Sequence, residues 1–159
     1  MKNWNWKRFL VGSIASSVPR ALSASAMTAV AVAFFGWREN GNAVAPINAI
    51  SHIVWDEDAL DKDDLSLKYT GVAVALNASA NGGWAWIYQV LFARSRDEGE
   101  AVKPIVGALC VAMLAYVVDY HVVPKRLTPG FEHRLSRRAL FFIYLALALG
   151  LALPRARKN

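Results

Sequence analysis

Cysteine and charge are both scarce in this sequence. The single cysteine, Cys110, excludes a disulfide bond within the chain and a cysteine-based zinc site. Charged residues make up only 19% of the 159 residues, whereas hydrophobic residues make up 55%. This balance is too apolar for an ordinary soluble domain and indicates a membrane protein. We expect residues 1–159 to form one compact domain.

The common catalytic motifs are also missing. The sequence contains no Ser-His-Asp order, no glycine-rich phosphate loop and no His-Glu zinc motif. The net charge is +6, but the basic residues cluster at the ends of apolar segments and do not alternate with aromatic residues. We therefore expect no nucleic-acid binding and no cofactor.

Four apolar segments approach the ~20 residues that a helix needs to cross the hydrocarbon of a bilayer. They cover residues 14–37, 70–92, 104–123 and 139–153. Pro19 interrupts the first segment, so either the span begins near Pro19, with Ser16 or Ser17 as its cap, or one long helix is kinked there. The sequence predicts an all-α integral membrane bundle of four transmembrane helices with short interfacial helices.

A secretory signal is the competing interpretation of the N-terminus. Basic residues precede the first apolar run, and Ala24, Ser25 and Ala26 resemble a cleavage site. The apolar run continues through Phe35, however, whereas the core of a signal peptide is shorter. This length favours a membrane span.

Four spans place both termini and the 93–103 loop on one side of the membrane. That side carries ten Lys and Arg residues and the other side eight, which narrowly favours cytoplasmic termini. On the other side, residues 38–69 have a net charge of −4 and residues 124–138 a net charge of +4. We expect these two loops to dock together.

The acidic stretch DEDALDKDD resembles a calcium-binding loop only in its carboxylate density. Asp61 stands where the turn glycine of an EF-hand belongs, and no Glu follows at the twelfth position. We expect a solvated acidic loop and no metal site.

The preceding PINAISHIVW is typical of a short amphipathic helix that lies on the bilayer or caps the bundle, with His52 hydrogen-bonded at the interface.

The second apolar segment carries two informative faces. Ala75, Ser79 and Gly83 recur every four residues, which allows close helix approach and predicts self-association. A polar stripe on another face consists of Asn77, Asn81, Trp84 and Tyr88. We interpret this stripe as hydrogen bonding between helices, with a substrate pathway as the alternative.

The third segment ends in VVDYHVVPKR, where ionisable residues precede Pro124. Asp119 lies ~7 Å inside the helix end, and an ionisable group at that depth usually has a partner or a function. We expect Asp119 to share a face with Tyr116 and to meet Asn77 or an arginine, whereas His121 points toward the loops or headgroups. The candidate arginines are Arg134, Arg137 and Arg138.

Two strings in the sequence carry a resemblance. PINAISHIVW and VVDYHVVPKRLTPGFEHRLS are similar to sequences in a group of small bacterial inner-membrane proteins, and DYHVVPKRLTPGFE is the most specific part. The resemblance covers most of the chain from about residue 40 onward and implies a four-helix membrane protein without implying a reaction. That group has a His near the position where this chain has Asn77. Any metal or proton role of that His therefore does not carry over to this chain.

Two classes of function are compatible with these patterns. The first is a structural or accessory membrane protein, and we expect this class rather than an enzyme. The alternative is a subunit of a small dimeric transporter, or a membrane-embedded enzyme, that uses Asp119, His121 and His52. The expected partners are the lipid bilayer and a second copy of the chain.

Overall fold

A computed structural model of the chain describes residues 6–97 and 102–153. It contains the helices α1 (Trp6–Asn40), α2 (Ala45–Ala49), α3 (His52–Trp55), α4 (Val72–Asp97), α5 (Val102–Val117) and α6 (Arg137–Ala152). One-turn helices at Asp56–Ala59, Leu67–Gly71, Val118–Val122, Lys125–Leu127 and Phe131–His133 fill the connections. Because the described part of the chain has no strand, the predicted all-α class is confirmed.

The four long helices form an antiparallel bundle. Helix α1 packs against α4 and α6, and α5 packs against the same two helices, so α1 and α5 lie diagonally opposite each other. One end of the bundle carries the segments 41–71 and 123–136 and is called the loop end below. At the other end, Arg20 donates a hydrogen bond of 2.7 Å to Gln89 and thereby links α1 to α4.

Helix α1 runs without interruption through Pro19. Of the two alternatives, a helix that begins near Pro19 with Ser16 or Ser17 as its cap is therefore wrong, and one long helix is observed. The two serine hydroxyls instead donate to carbonyl oxygens of the preceding turn, Gly12 for Ser16 and Ile14 for Ser17. At the other end of α1, Gly41 adopts a positive φ of 69° and ends the helix.

Helix α2 caps the loop end of the bundle. The side chain of Asn48 is fully buried and donates to the carbonyl oxygens of Lys62 and Asp64, both at 2.9 Å. The same side chain accepts a hydrogen bond of 2.6 Å from Thr70, which lies in the one-turn helix Leu67–Gly71 directly before α4. Of the two positions predicted for PINAISHIVW, capping of the bundle is the one observed.

The predicted docking of the acidic and basic loops is confirmed. Arg126 forms an ion pair of 3.2 Å with Asp56, and Arg134 forms one of 3.1 Å with Asp63. The guanidinium of Arg134 also donates to the carbonyl oxygen of Leu60. Opposite charges thus hold the two segments together over the loop end.

Small residues bring the helices close together at two places. A Cβ atom at Gly150 of α6 would lie 2.8 Å from the backbone nitrogen of Ala24 in α1, and one at Gly107 of α5 would meet the ring of Phe92 in α4. By contrast, a Cβ atom at Gly83 would meet nothing within 4 Å, because the ridge of Ala75, Ser79 and Gly83 faces outward. The ridge therefore does not pack within the chain.

Two stretches of helix are long and apolar enough to cross a membrane. They are Val11–Asn40 in α1 and Val102–Val122, which covers α5 and the π-helical turn after it. Helix α4 is long enough, but Asn77, Asn81 and its glycines lower its hydropathy, and α6 is only 16 residues long. The structure thus supports two candidate spans, and four spans stay a prediction.

Candidate functional site

A cavity of about 300 Å³ opens inside the bundle toward the loop end. Its walls come from α1, α4 and α6, from the turn Val118–Val122 that follows α5, and from the segments of the loop end. Apolar side chains form most of the surface: Ile50, Leu76, Phe131, Ile143 and Leu147. We call this space the interior cavity.

The mouth of the interior cavity lies beside α4. Ser79 and Ala80 line the cavity and are exposed on the outer surface of the bundle, as is Leu127 in the loop that follows α5. Because these lining residues are exposed, the cavity is accessible from the side of the bundle. At the end of the bundle opposite the loop end, Phe92 packs closely against Gly107 and brings α4 against α5.

Among the residues that the structure describes, Asp119 is the one carboxylate that lines the interior cavity. It is half-buried and belongs to the π-helical turn Val118–Val122, which ends when Val123 adopts the extended conformation that a following proline favours. Its Oδ2 atom accepts a hydrogen bond of 2.6 Å from the hydroxyl of Tyr144 in α6. Its Oδ1 atom has no hydrogen-bond partner among residues 6–97 and 102–153.

The predicted pairing of Asp119 with an arginine is wrong. Arg134 instead pairs with Asp63 at 3.1 Å. Arg137 and Arg138 are exposed at the start of α6, and neither forms an ion pair with Asp119 within the described ranges. The acidic loop provides a closer and better-hydrated partner for Arg134 than a carboxylate inside the bundle, which explains the difference.

The two asparagines of the polar stripe also line the interior cavity. Asn81 is buried and donates hydrogen bonds of 3.1 Å to the Thr28 hydroxyl of α1 and to the Oδ1 atom of Asn77. This network bears out the interpretation of the stripe as hydrogen bonding between helices. It also places two polar amides in the wall of a mostly apolar space.

Further along the stripe, the two aromatic residues differ in position. Trp84 is half-buried and lines the interior cavity. Tyr88 is fully buried outside it, and its hydroxyl donates to the carbonyl oxygen of Pro104 at 3.1 Å. The stripe therefore contributes one aromatic ring to the cavity.

Tyr116 and His121 lie outside the interior cavity. Both are exposed, and their rings are 5.9 Å apart. Tyr116 also contacts the ring of Tyr144 edge-to-face, with centroids 5.3 Å apart. Tyr144 therefore connects Tyr116 to Asp119, while His121 is exposed beside Tyr116.

His52 is buried in α3, apart from the interior cavity. Its Nδ1 atom lies 2.9 Å from the carbonyl oxygen of Ala49, and since a carbonyl only accepts, Nδ1 carries the proton. The Nε2 atom is buried without a hydrogen-bond partner, and the ring of His133 is 6.1 Å away. Among the described residues, no group of three His, Cys, Asp or Glu could hold a metal ion.

The predicted polar residues thus divide into separate groups. Asp119, Asn77 and Asn81 meet at the interior cavity, whereas the other candidates lie elsewhere: His121, Tyr116, His52, Arg134, Arg137 and Arg138. Sequence reasoning missed Tyr144 and Thr28, which hold Asp119 and Asn81. The sequence could have pointed to Tyr144, because it is the only polar residue between Ala139 and Leu153.

Comparison with known proteins adds no assignment. No protein-family model, curated protein or solved structure matches the chain. The resemblance to small bacterial inner-membrane proteins therefore stays a prediction.

Proposed function

We propose that the chain is a four-span protein of the bacterial inner membrane. The two candidate spans support this proposal, because α4 and α6 each pack against both of the helices that contain them. All four helices also carry large apolar side chains on the outer surface, such as Val30 at 68% exposure, Leu91 at 61%, Met113 at 66% and Phe141 at 65%. Such a surface suits contact with lipid tails.

The shorter and more polar helices fit this arrangement as well. The asparagines of α4 point into the bundle, where they hydrogen-bond with α1. A helix of 16 residues such as α6 is about 24 Å long, and arginines at its start extend its reach by snorkelling. We place both termini in the cytoplasm on the charge count of ten to eight.

Reporter fusions test the orientation. We expect a reporter at Asn159 to give a cytoplasmic signal and a reporter within residues 56–64 to give a periplasmic one. A cytoplasmic signal from both fusions would contradict four spans.

Within this membrane domain, we propose an accessory function in which the interior cavity binds a small, mostly apolar molecule. The observation that carries the proposal is a cavity of about 300 Å³ that has apolar walls, few polar groups and a lateral mouth. Ligand sites begin at about this volume and combine apolar walls with a few polar groups that orient the ligand. A mouth beside α4 gives molecules dissolved in the bilayer a route of entry.

The alternative of a transporter or enzyme that uses Asp119, His121 and His52 has less support. Asp119 lines the interior cavity, but His121 is exposed outside it and His52 is buried in α3. General acid–base chemistry requires its groups within hydrogen-bond reach of one substrate. Binding needs no such convergence.

A neutral probe with an apolar body tests the binding proposal. In lipid nanodiscs, 4-phenylbutanol at about 100 times its dissociation constant should stabilise the protein by about 2.7 kcal/mol. Ala80→Trp places an indole at the cavity and should abolish this stabilisation. Leu91→Trp, on the exposed surface of the same helix, is the matched control and should retain it. Equal responses of both variants would contradict binding in the interior cavity.

A further inference from the structure

The carboxylate of Asp119 lines a mostly apolar cavity without a basic partner in the part of the chain that the structure describes. Of the basic residues that follow Asp119, Arg126 pairs with Asp56 and Arg134 with Asp63, while His121 and Lys125 are exposed outside the interior cavity. Glu132, which accepts a hydrogen bond from Tyr120, adds a second acidic group near the end of α5. The surroundings of Asp119 thus favour a positive charge that the described residues do not supply.

The other groups at the interior cavity suit the same kind of ligand. Trp84 contributes an indole ring, which attracts cations through its π-face. Asn77 contributes an amide whose oxygen accepts hydrogen bonds. Oδ1 of Asp119 is available as a further acceptor.

Apolar walls determine which cation fits. A divalent metal requires several oxygen ligands, whereas the described part of the chain places a single carboxylate, Asp119, in the cavity wall. An ammonium group needs only a few acceptors. The hydrocarbon part of an amphiphilic amine would fill the space among Ile50, Ile143 and Leu147. An anion of the same shape would be repelled by Asp119.

We propose that the interior cavity binds a monovalent amphiphilic amine, with its ammonium group at Oδ1 of Asp119 and its apolar body against the walls. This inference rests on the proposed binding function and specifies its ligand. Tyr144 orients the carboxylate through Oδ2 and leaves Oδ1 directed to the ligand.

Three probes with one body and different charges test the inference. They are 4-phenylbutylamine, which is protonated at neutral pH, neutral 4-phenylbutanol and anionic 4-phenylbutanoate. Dissociation constants are measured by calorimetry with the full-length protein in nanodiscs of neutral lipid. We expect the amine to bind at least about tenfold more tightly than the alcohol and the carboxylate to bind more weakly than both.

Asp119→Asn should reduce the affinity for the amine to that for the alcohol while the alcohol still binds. Retained binding of the alcohol also shows that this variant is folded. Asp64→Asn removes an equal charge from the exposed acidic loop, outside the interior cavity, and should leave the preference for the amine unchanged.

The outcomes separate the two proposals. Equal affinity of wild-type protein for the amine and the alcohol would overturn the cation inference and leave the binding function intact. Tighter binding of the carboxylate would also overturn it. Absence of binding for all three probes would overturn both proposals.

Discussion

The hydroxyl of Tyr144 donates a hydrogen bond of 2.6 Å to Oδ2 of Asp119 and joins α6 to the end of α5. This contact takes the place of the ion pair with an arginine that the sequence suggested. A hydroxyl satisfies one carboxylate oxygen without supplying a positive charge. The contact therefore fixes Asp119 in the cavity wall and leaves its charge uncompensated.

Tyr144→Phe should lower the free energy of unfolding by about 1–3 kcal/mol, because it leaves a half-buried carboxylate oxygen without its donor. Tyr116→Phe is the matched control, since the Tyr116 hydroxyl makes no hydrogen bond among the described residues. Thermal and denaturant unfolding in one detergent measures both variants. Equal stability of the two would show that the Tyr144 contact contributes nothing.

Gly150→Ala should destabilise the bundle by about 1–3 kcal/mol, because the added methyl group overpacks against α1. The backbone of Ala24 cannot move away without separating the two helices. Gly12→Ala, in the exposed face of α1, meets nothing within 4 Å and should gain about 1 kcal/mol of helix propensity. A stabilising effect at both positions would contradict the close approach of α1 and α6.

Arg134→Gln should lower the free energy of unfolding by about 1–3 kcal/mol, since it removes charged hydrogen bonds to the 56–64 segment. The side chain of Arg134 is only 25% exposed and reaches both Asp63 and the Leu60 carbonyl. Arg138→Gln changes an exposed arginine and should stay within about 0.5 kcal/mol of wild type. Thermal melting at low and high salt measures both, and equal losses would mean that the loops do not depend on Arg134.

We propose that the chain self-associates through α4, and Gly83→Leu should then weaken this association without lowering the stability of the monomer. The outward ridge of Ala75, Ser79 and Gly83 is free to meet a second copy, and a large side chain would keep the copies apart. Val90→Leu, exposed on the same helix, should leave association unchanged. Sedimentation in detergent decides between them, and identical dimer fractions would indicate that the ridge faces lipid.

Local patterns in the sequence predicted several parts of the fold. Apolar segments indicated the long helices, Pro124 indicated the end of the third segment, and opposite net charges indicated that residues 38–69 and 124–138 dock together. Each of these predictions depends only on residues that are neighbours in the sequence or on the net charge of a segment. The continuous helix through Pro19 was left open, because a proline inside a helix is compatible with a break and with continuation.

The partner of Asp119 could not be predicted, because it depends on the rotation of α6 about its axis. The sequence places Tyr144 at a suitable depth, but the apolar residues around it do not define which face meets α5. The interior cavity is lined by residues of α1, α4, α6 and the loop end that are far apart in the sequence. No periodicity within one segment reveals such a space.

Fluorescence quenching of Trp84 tests binding in the interior cavity most directly. Trp84 lines the cavity, whereas Trp86 donates a hydrogen bond of 2.9 Å to Ser13 on α1 and does not line it. A bromine-bearing analogue, 4-(4-bromophenyl)butylamine, should quench the wild-type protein in nanodiscs with a saturable curve. Trp84→Phe should remove the saturable part, and Trp86→Phe should retain it. Saturable quenching of unchanged amplitude in Trp84→Phe would contradict a ligand in the interior cavity.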